Sequence, residues 1–171
     1  LLSFERMSVF SLSSCLVAYS VCEGFFFGSV LPFFVRAGYG SAVWLAFCVA
    51  SFLFLTSALY GRYTRSDLTS LGALLSVGLA GFLGLTLLSV VLSFFWSVSS
   101  FHLILAYCGL ALFMGLTMFE AHRIHGIGSR VSLDDGPEVH KLALMTALGM
   151  YANLITMFWY ALRILVHDKD R

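Results

Sequence analysis

The sequence predicts an all-α protein, a polytopic transmembrane helical bundle of five spans, and three observations carry that expectation. Hydrophobic residues make up 60% of the 171-residue chain and charged residues only 11%, where an average soluble domain has about 25% charged residues. Mean hydropathy is +0.93. The apolar residues also fall in long runs of the roughly 20 residues that a crossing needs, and most of the basic residues sit between them.

The first span, 7–34, is long enough to cross with tilt or a bend, and Gly24, Gly28 and Pro32 offer places for one. The second, 39–60, carries no Asp, Glu, Lys or Arg. From Leu68 to Phe119 there is again no such residue. That stretch is far too long for one crossing, so it divides at the polar knot Trp96-Ser97-Val98-Ser99-Ser100 into a third span, 69–95, and a fourth, 101–125. The fifth is 139–166. In the third, Gly72, Ser76, Ala80 and Gly84 recur every four residues, a stripe that would let a neighbouring helix backbone come close.

Residues 1–171 read as a single transmembrane domain, since the two prolines are isolated and no segment is rich in Gly, Ser or Pro. The chain opens on Leu1 and not on Met, and a truncated N-terminus is the expectation. Arg6, Arg62, Arg65, Arg123, Arg130 and Lys141 fall on one side of the five spans, and Arg36, Arg163, Lys169 and Arg171 on the other. The richer side, with loops 61–68 and 126–138, is expected to be cytoplasmic.

A net charge of +1 with scattered basic residues argues against a nucleic-acid partner. Cys15, Cys22, Cys48 and Cys108 lie in apolar runs at no metal-ligand spacing and read as small buried hydrophobes. His122, His125 and His140 with Asp134 and Asp135 make a weak zinc pattern, because most of these ligands would come from one solvated loop. No nucleophile elbow or phosphate-binding glycine loop is present. Neither a cofactor nor an enzymatic activity is expected.

The informative residues are the polar ones at membrane depth: Glu23, His102, Glu120, Asn153 and Arg163. Glu23 lies about 24 Å into the first span at roughly 1.5 Å per residue, too deep for a simple surface residue. His102, beside the Ser-rich turn, and Arg163, near the end of the last span, read as interfacial residues. Glu120 continues a face with Phe113 and Leu116, since positions three and four apart stack on a helix. An acid on such a face must neutralise, find a partner or meet water inside the protein. Asn153, with Tyr151 and Thr156 nearby in sequence, offers an uncharged donor and acceptor.

Four segments together resemble a known family. The run Tyr107-Cys-Gly-Leu-Ala-Leu-Phe113-Met-Gly-Leu-Thr-Met-Phe-Glu120-Ala-His-Arg-Ile124 is similar to the signature helix of the transmembrane Bax inhibitor motif family, in which an aspartate commonly holds the Glu120 position. Arg65-Ser-Asp-Leu-Thr-Ser-Leu-Gly72 resembles its loop-to-helix junction, and Glu23-Gly24 followed by Gly28 and Pro32 its Glu-Gly helix. Met150-Tyr-Ala-Asn153-Leu-Ile155 through Phe158 resembles its last helix.

The resemblance implies a seven-helix bundle with the last helix near its centre, of which this chain would hold helices three to seven. It further implies a calcium leak, in some members gated by pH through paired aspartates on the last two helices, or, in other bacterial members, restraint of a membrane-embedded protease. The second acid of such a pair is here Asn153, and an acid facing an amide lacks the coupling of two carboxylates. The expected function is a passive, calcium- and proton-linked ion pathway in the lipid bilayer of a bacterial inner membrane. Glu120 would be its protonatable latch, and Glu23 and Asn153 would line the route. The alternative is a non-enzymatic regulator that binds a membrane protease or another membrane complex.

Overall fold

The computed structural model describes residues 9–64, 68–93, 99–128 and 137–169. Every element among them is helical: α1 (Val9–Phe34), α2 (Gly40–Tyr63), α3 (Thr69–Ser93), α4 (Ser99–Gly128) and α5 (Pro137–Lys169), with a π-helical link, Val35–Tyr39, between the first two. Arg6, Arg65, the turn at 96–98, Arg130, Asp134, Asp135 and Arg171 lie outside the described residues. The same holds for the middle of each loop assigned to the cytoplasm.

The helix limits follow local chemistry. Pro32 sits near the end of α1, where the missing N–H weakens the helix. Six residues on, Gly38 adopts φ 90°, a left-handed conformation that a side chain would strain by about 1–2 kcal/mol. The chain turns there. Helix α2 ends as Thr64 leaves helical geometry while its N–H still donates to the Tyr60 carbonyl at 2.9 Å. Helix α5 starts on Pro137, the position at which a helix has no use for an N–H.

Four helical stretches are long and apolar enough to cross a membrane: Ser13–Tyr63, Ser70–Val91, Phe101–Gly126 and Lys141–Lys169. These four stretches do not match the expected count of five, because the first two predicted spans fall within one 51-residue helical stretch, Ser13–Tyr63, that contains the turn at Gly38.

Helix directions follow from what touches what. Tyr19 packs edge-on against Tyr151, the Phe27 ring lies tilted against Phe158 and Trp159, and the Gly38 carbonyl accepts from Lys169 Nζ, so α1 runs parallel to α5. Gly109 lies against Tyr160 and Glu120 against Gly149, so α4 runs antiparallel to α5. Gly61 touches Met118, and the core joins the start of α2 to the end of α5, so α2 is parallel to α4. Helix α3 runs antiparallel to α4, pairing Gly72 with Phe119 and Phe82 with Gly109. Successive helices therefore reverse direction. Arg62, Arg123 and Lys141 fall at one end of the bundle and Arg36, Arg163 and Lys169 at the other.

Helix α5 is the hub, packed against α1, α2 and α4, while α3 packs chiefly on α4. The core joins Ala42, Ala46 and Ala50 of α2 to Met157, Phe158, Ala161 and Leu162 of α5. Buried Ser57 and Gly61 extend that run of small residues. At Gly61 the two backbones meet so closely that a Cβ would collide with the Met118 carbonyl. This is the close small-residue approach that stabilises helix pairs in lipid, where apolar burial gives little drive.

The stripe expected on α3 needs correction. Gly72 is buried under the Phe119 ring, but Ser76, Ala80 and Gly84 are exposed, and Gly84 has nothing within 4 Å. A strict four-residue step advances about 400°, so each member drifts roughly 40° around the helix. The contact to α4 is carried by Gly72, Leu75 and Phe82, which meet Phe119, Gly115 and Gly109. The four cysteines are also not buried: all are free and exposed. Outward positions of a bundle in lipid are apolar as well, as Phe25 (81% exposed) and Trp44 (73%) illustrate.

Candidate functional site

Glu120 and Asn153 meet across the α4–α5 contact. Asn153 Nδ2 donates to Glu120 Oε2 at 2.9 Å. Asn153 is 5% exposed, and Glu120 is partly buried. The carboxyl fits because residue 149, one turn before Asn153, is glycine: a Cβ there would come within 2.7 Å of Glu120 Oε1. Burying a carboxyl or an amide without a partner costs about 1–3 kcal/mol, so each group makes the other's position tolerable. Arg123 stands one turn further along α4 and is exposed. It forms no ion pair with Glu120.

Two threonines line up with this pair. Thr117, fully buried, precedes Glu120 by one turn and donates to the Phe113 carbonyl at 2.9 Å. Thr146, also buried, lies two turns before Asn153 on the same face of α5 and donates to the Leu142 carbonyl at 2.7 Å. Both hydroxyls spend their proton on their own helix, which leaves their lone pairs to accept. Thr117 and Thr146 thus add buried hydroxyls to the two helices that Glu120 and Asn153 join. His122, two residues from Glu120 and so about 200° around α4, faces α2 instead, with its Nδ1 3.2 Å from the Gly61 carbonyl.

Glu23 belongs elsewhere. Tyr19, one turn before it on α1, brings its hydroxyl to the Glu23 carboxylate and its ring to Tyr151, with centroids 5.9 Å apart. Tyr151 and Asn153 are two residues apart, about 200° around α5, so they point to opposite sides of it. The structure therefore unites Glu120 with Asn153 and sets Glu23 on the far side of α5. Correspondingly, Thr156 bonds to its own helix at the Ala152 carbonyl and takes no part in the pair.

Gly149, Thr117, Thr146 and Gly61 were missed in the sequence, and His122 was weighed there only as part of a weak zinc pattern. Thr117 was within reach, three residues before the acid on a helix. Gly149 was not, because its use depends on where the neighbouring helix puts a carboxyl. Among the described residues, no group of three or more His, Cys, Asp or Glu stands close enough to hold a metal ion.

Comparison with known proteins bears on the whole chain. Residues 5–170 match the profile of the family described as "Inhibitor of apoptosis-promoting Bax1". A protein of Chlamydia muridarum is 38% identical over 167 residues, which cover 98% of this chain and 70% of that protein. Inner membrane protein YbhL of Escherichia coli K12 is 26% identical over 160 residues, 94% of this chain and 65% of that protein. A protein of Borreliella burgdorferi is 28% identical over 168 residues, covering 98% and 68%. The chain thus spans about two thirds of the length of these relatives. A profile match from end to end and apolar helices reversing around a central α5 lead to one assignment: this chain is a membrane protein of the Bax inhibitor family.

Proposed function

We propose that the protein is a non-enzymatic, passive ion pathway, permeable to calcium and coupled to protons, with Glu120 as its latch. The observation that carries the reading is the Asn153–Glu120 bond, which ties the last two helices together through an ionisable group in a Gly149 recess. When protonated, the carboxyl is satisfied by the amide and the helices stay closed. When ionised, it holds a charge that one amide donor cannot balance, and it draws in water or a cation. Flux should therefore rise with pH.

In this reading the Ser13–Tyr63 stretch crosses twice, reversing at Gly38, because α1 and α2 run in opposite directions beside α5. The chain then makes five crossings of a bacterial inner membrane, the setting named for YbhL, with loops 61–68 and 126–138 in the cytoplasm. The test is calcium and proton flux in liposomes holding the full-length protein across a pH series. A Glu120→Gln protein that conducts with the wild-type pH profile would remove the latch.

A second reading, a regulator that docks on a membrane protease or another complex, draws support from the open face at Ser76, Ala80 and Gly84. Mild crosslinking in native membranes, with a stoichiometric partner recovered and no flux in liposomes, would favour it.

A further inference from the structure

At the end of the bundle opposite Glu120, His102 near the start of α4 faces the last turns of α5. With Arg163 and His167 it lines a cleft of about 180 Å³. A larger cavity of about 460 Å³ shares Arg163 and His167 and continues along Trp159, Leu162, Val166 and Phe34. His102 Nδ1 is buried with no hydrogen-bond partner. Neither Arg163 nor His167 makes a hydrogen bond or ion pair among the described residues, and no carboxylate lines either cavity. Lys169 approaches the same end, bonded to the Gly38 carbonyl at 2.6 Å, and Arg36 lies in the adjoining link. The acid of the last turn, Asp168, is exposed and outside both cavities.

We propose that this cleft binds the headgroup phosphate of an anionic phospholipid, with an acyl chain lying along the Trp159–Leu162–Val166 wall. Arg163 supplies a permanent charge and planar donors suited to phosphate oxygens. His102 and His167 add imidazole rings to the same cleft wall. A soluble anion would use the polar cleft and leave the apolar extension empty; a lipid uses both. Arg163 sits about 9 Å before the end of the apolar stretch at roughly 1.5 Å per residue, near Trp159, an interfacial residue type. A zwitterionic headgroup would bring its own cation against the Arg163 guanidinium, which favours net-negative lipids.

The experiment is native mass spectrometry of the detergent-purified chain with phosphatidylglycerol, phosphatidylcholine or inorganic phosphate, paired with thermal unfolding in each. Phosphatidylglycerol should be retained at least about tenfold better than phosphatidylcholine and raise the unfolding temperature, whereas inorganic phosphate should not. Arg163→Gln with His167→Gln should abolish the preference, Arg163→Lys should keep part of it, and Arg62→Gln at the other end should leave it intact. Equal retention of the two lipids by the unaltered protein overturns the proposal, whatever the variants do. So does a preference that survives the double substitution, one lost equally in Arg62→Gln, or stabilisation by inorganic phosphate as large as that by lipid.

Discussion

The contact between Gly61 and Met118 offers a sharp test of how α2 and α4 are joined. In Gly61→Ala the new methyl would overlap the Met118 carbonyl oxygen and lie 2.9 Å from its carbon and 3.0 Å from its Cα. Backbone cannot rotate away as a side-chain tip can, so the helices must part by about 0.5 Å or more to restore ordinary contact. Overpacking of this kind costs about 1–3 kcal/mol. Separation also stretches the 3.2 Å contact of His122 Nδ1 with the Gly61 carbonyl, worth about 0.5–1.5 kcal/mol. The combined loss, about 1.5–4.5 kcal/mol, lowers the unfolding temperature by roughly 3–18 °C for a chain of this size. The comparison is Gly84→Ala, which meets nothing within 4 Å and should be neutral or slightly stabilising, as a helical glycine is replaced by a better helix former. Thermal unfolding of both in one detergent gives the answer. If the two variants melt together, α2 and α4 do not meet at Gly61.

Replacing Gly149 with Ala would put a methyl within 2.7 Å of Glu120 Oε1, so the carboxyl must shift and the pH midpoint of flux should move, whereas Glu120→Gln removes the titrating group; an unaltered midpoint would detach Gly149 from the latch. Asn153→Leu strands the carboxyl and should cost about 1–3 kcal/mol, whereas the double change Glu120→Leu, Asn153→Leu should recover most of it; a double-mutant cycle with no coupling would mean that the 2.9 Å bond contributes nothing. Wild-type flux should rise as pH increases and Glu120→Gln should be flat over the same range, read by a calcium dye in liposomes. Lys169→Met removes both the bond to the Gly38 carbonyl and the cation held 5.5 Å over the Tyr39 ring, so amide exchange over residues 35–40 should quicken while that around Glu120 stays as it was.

How much was legible in the sequence varied with the physics. Helix positions were, because an apolar run of crossing length has few alternatives: α3, α4 and α5 each lie within about three residues of the expected spans. The pairing of Glu120 with Asn153 was implied by the family resemblance, in which two acids meet on the last two helices, and the 2.9 Å bond joins those two positions. Faces were harder. In a soluble helix polarity marks the outside, but here Cys48 and Trp44 point outward while Ala46 and Ala50 point inward. The better clue was size: Ala42, Ala46, Ala50, Ser57 and Gly61 form the packed line, whereas the more regular series on α3 drifts out of contact. Glu23 was placed by its depth and by the resemblance of Glu23-Gly24 to the family's Glu-Gly helix, and neither says which side of α5 a residue faces. The merging of the first two spans hinged on how far 35–39 would leave helical geometry, and the break is confined to Gly38 and Tyr39.

Gly38 has a leverage that its size conceals. Helix α1 holds to the bundle mainly through aromatic rings laid against α5 and scarcely touches α2. Its 26 residues make an arm of about 39 Å hinged at a residue with no side chain to obstruct rotation. A swing of about 10° would carry the far tip roughly 7 Å sideways. Tyr19 and Glu23 would leave Tyr151 without disturbing a single contact between α4 and α5.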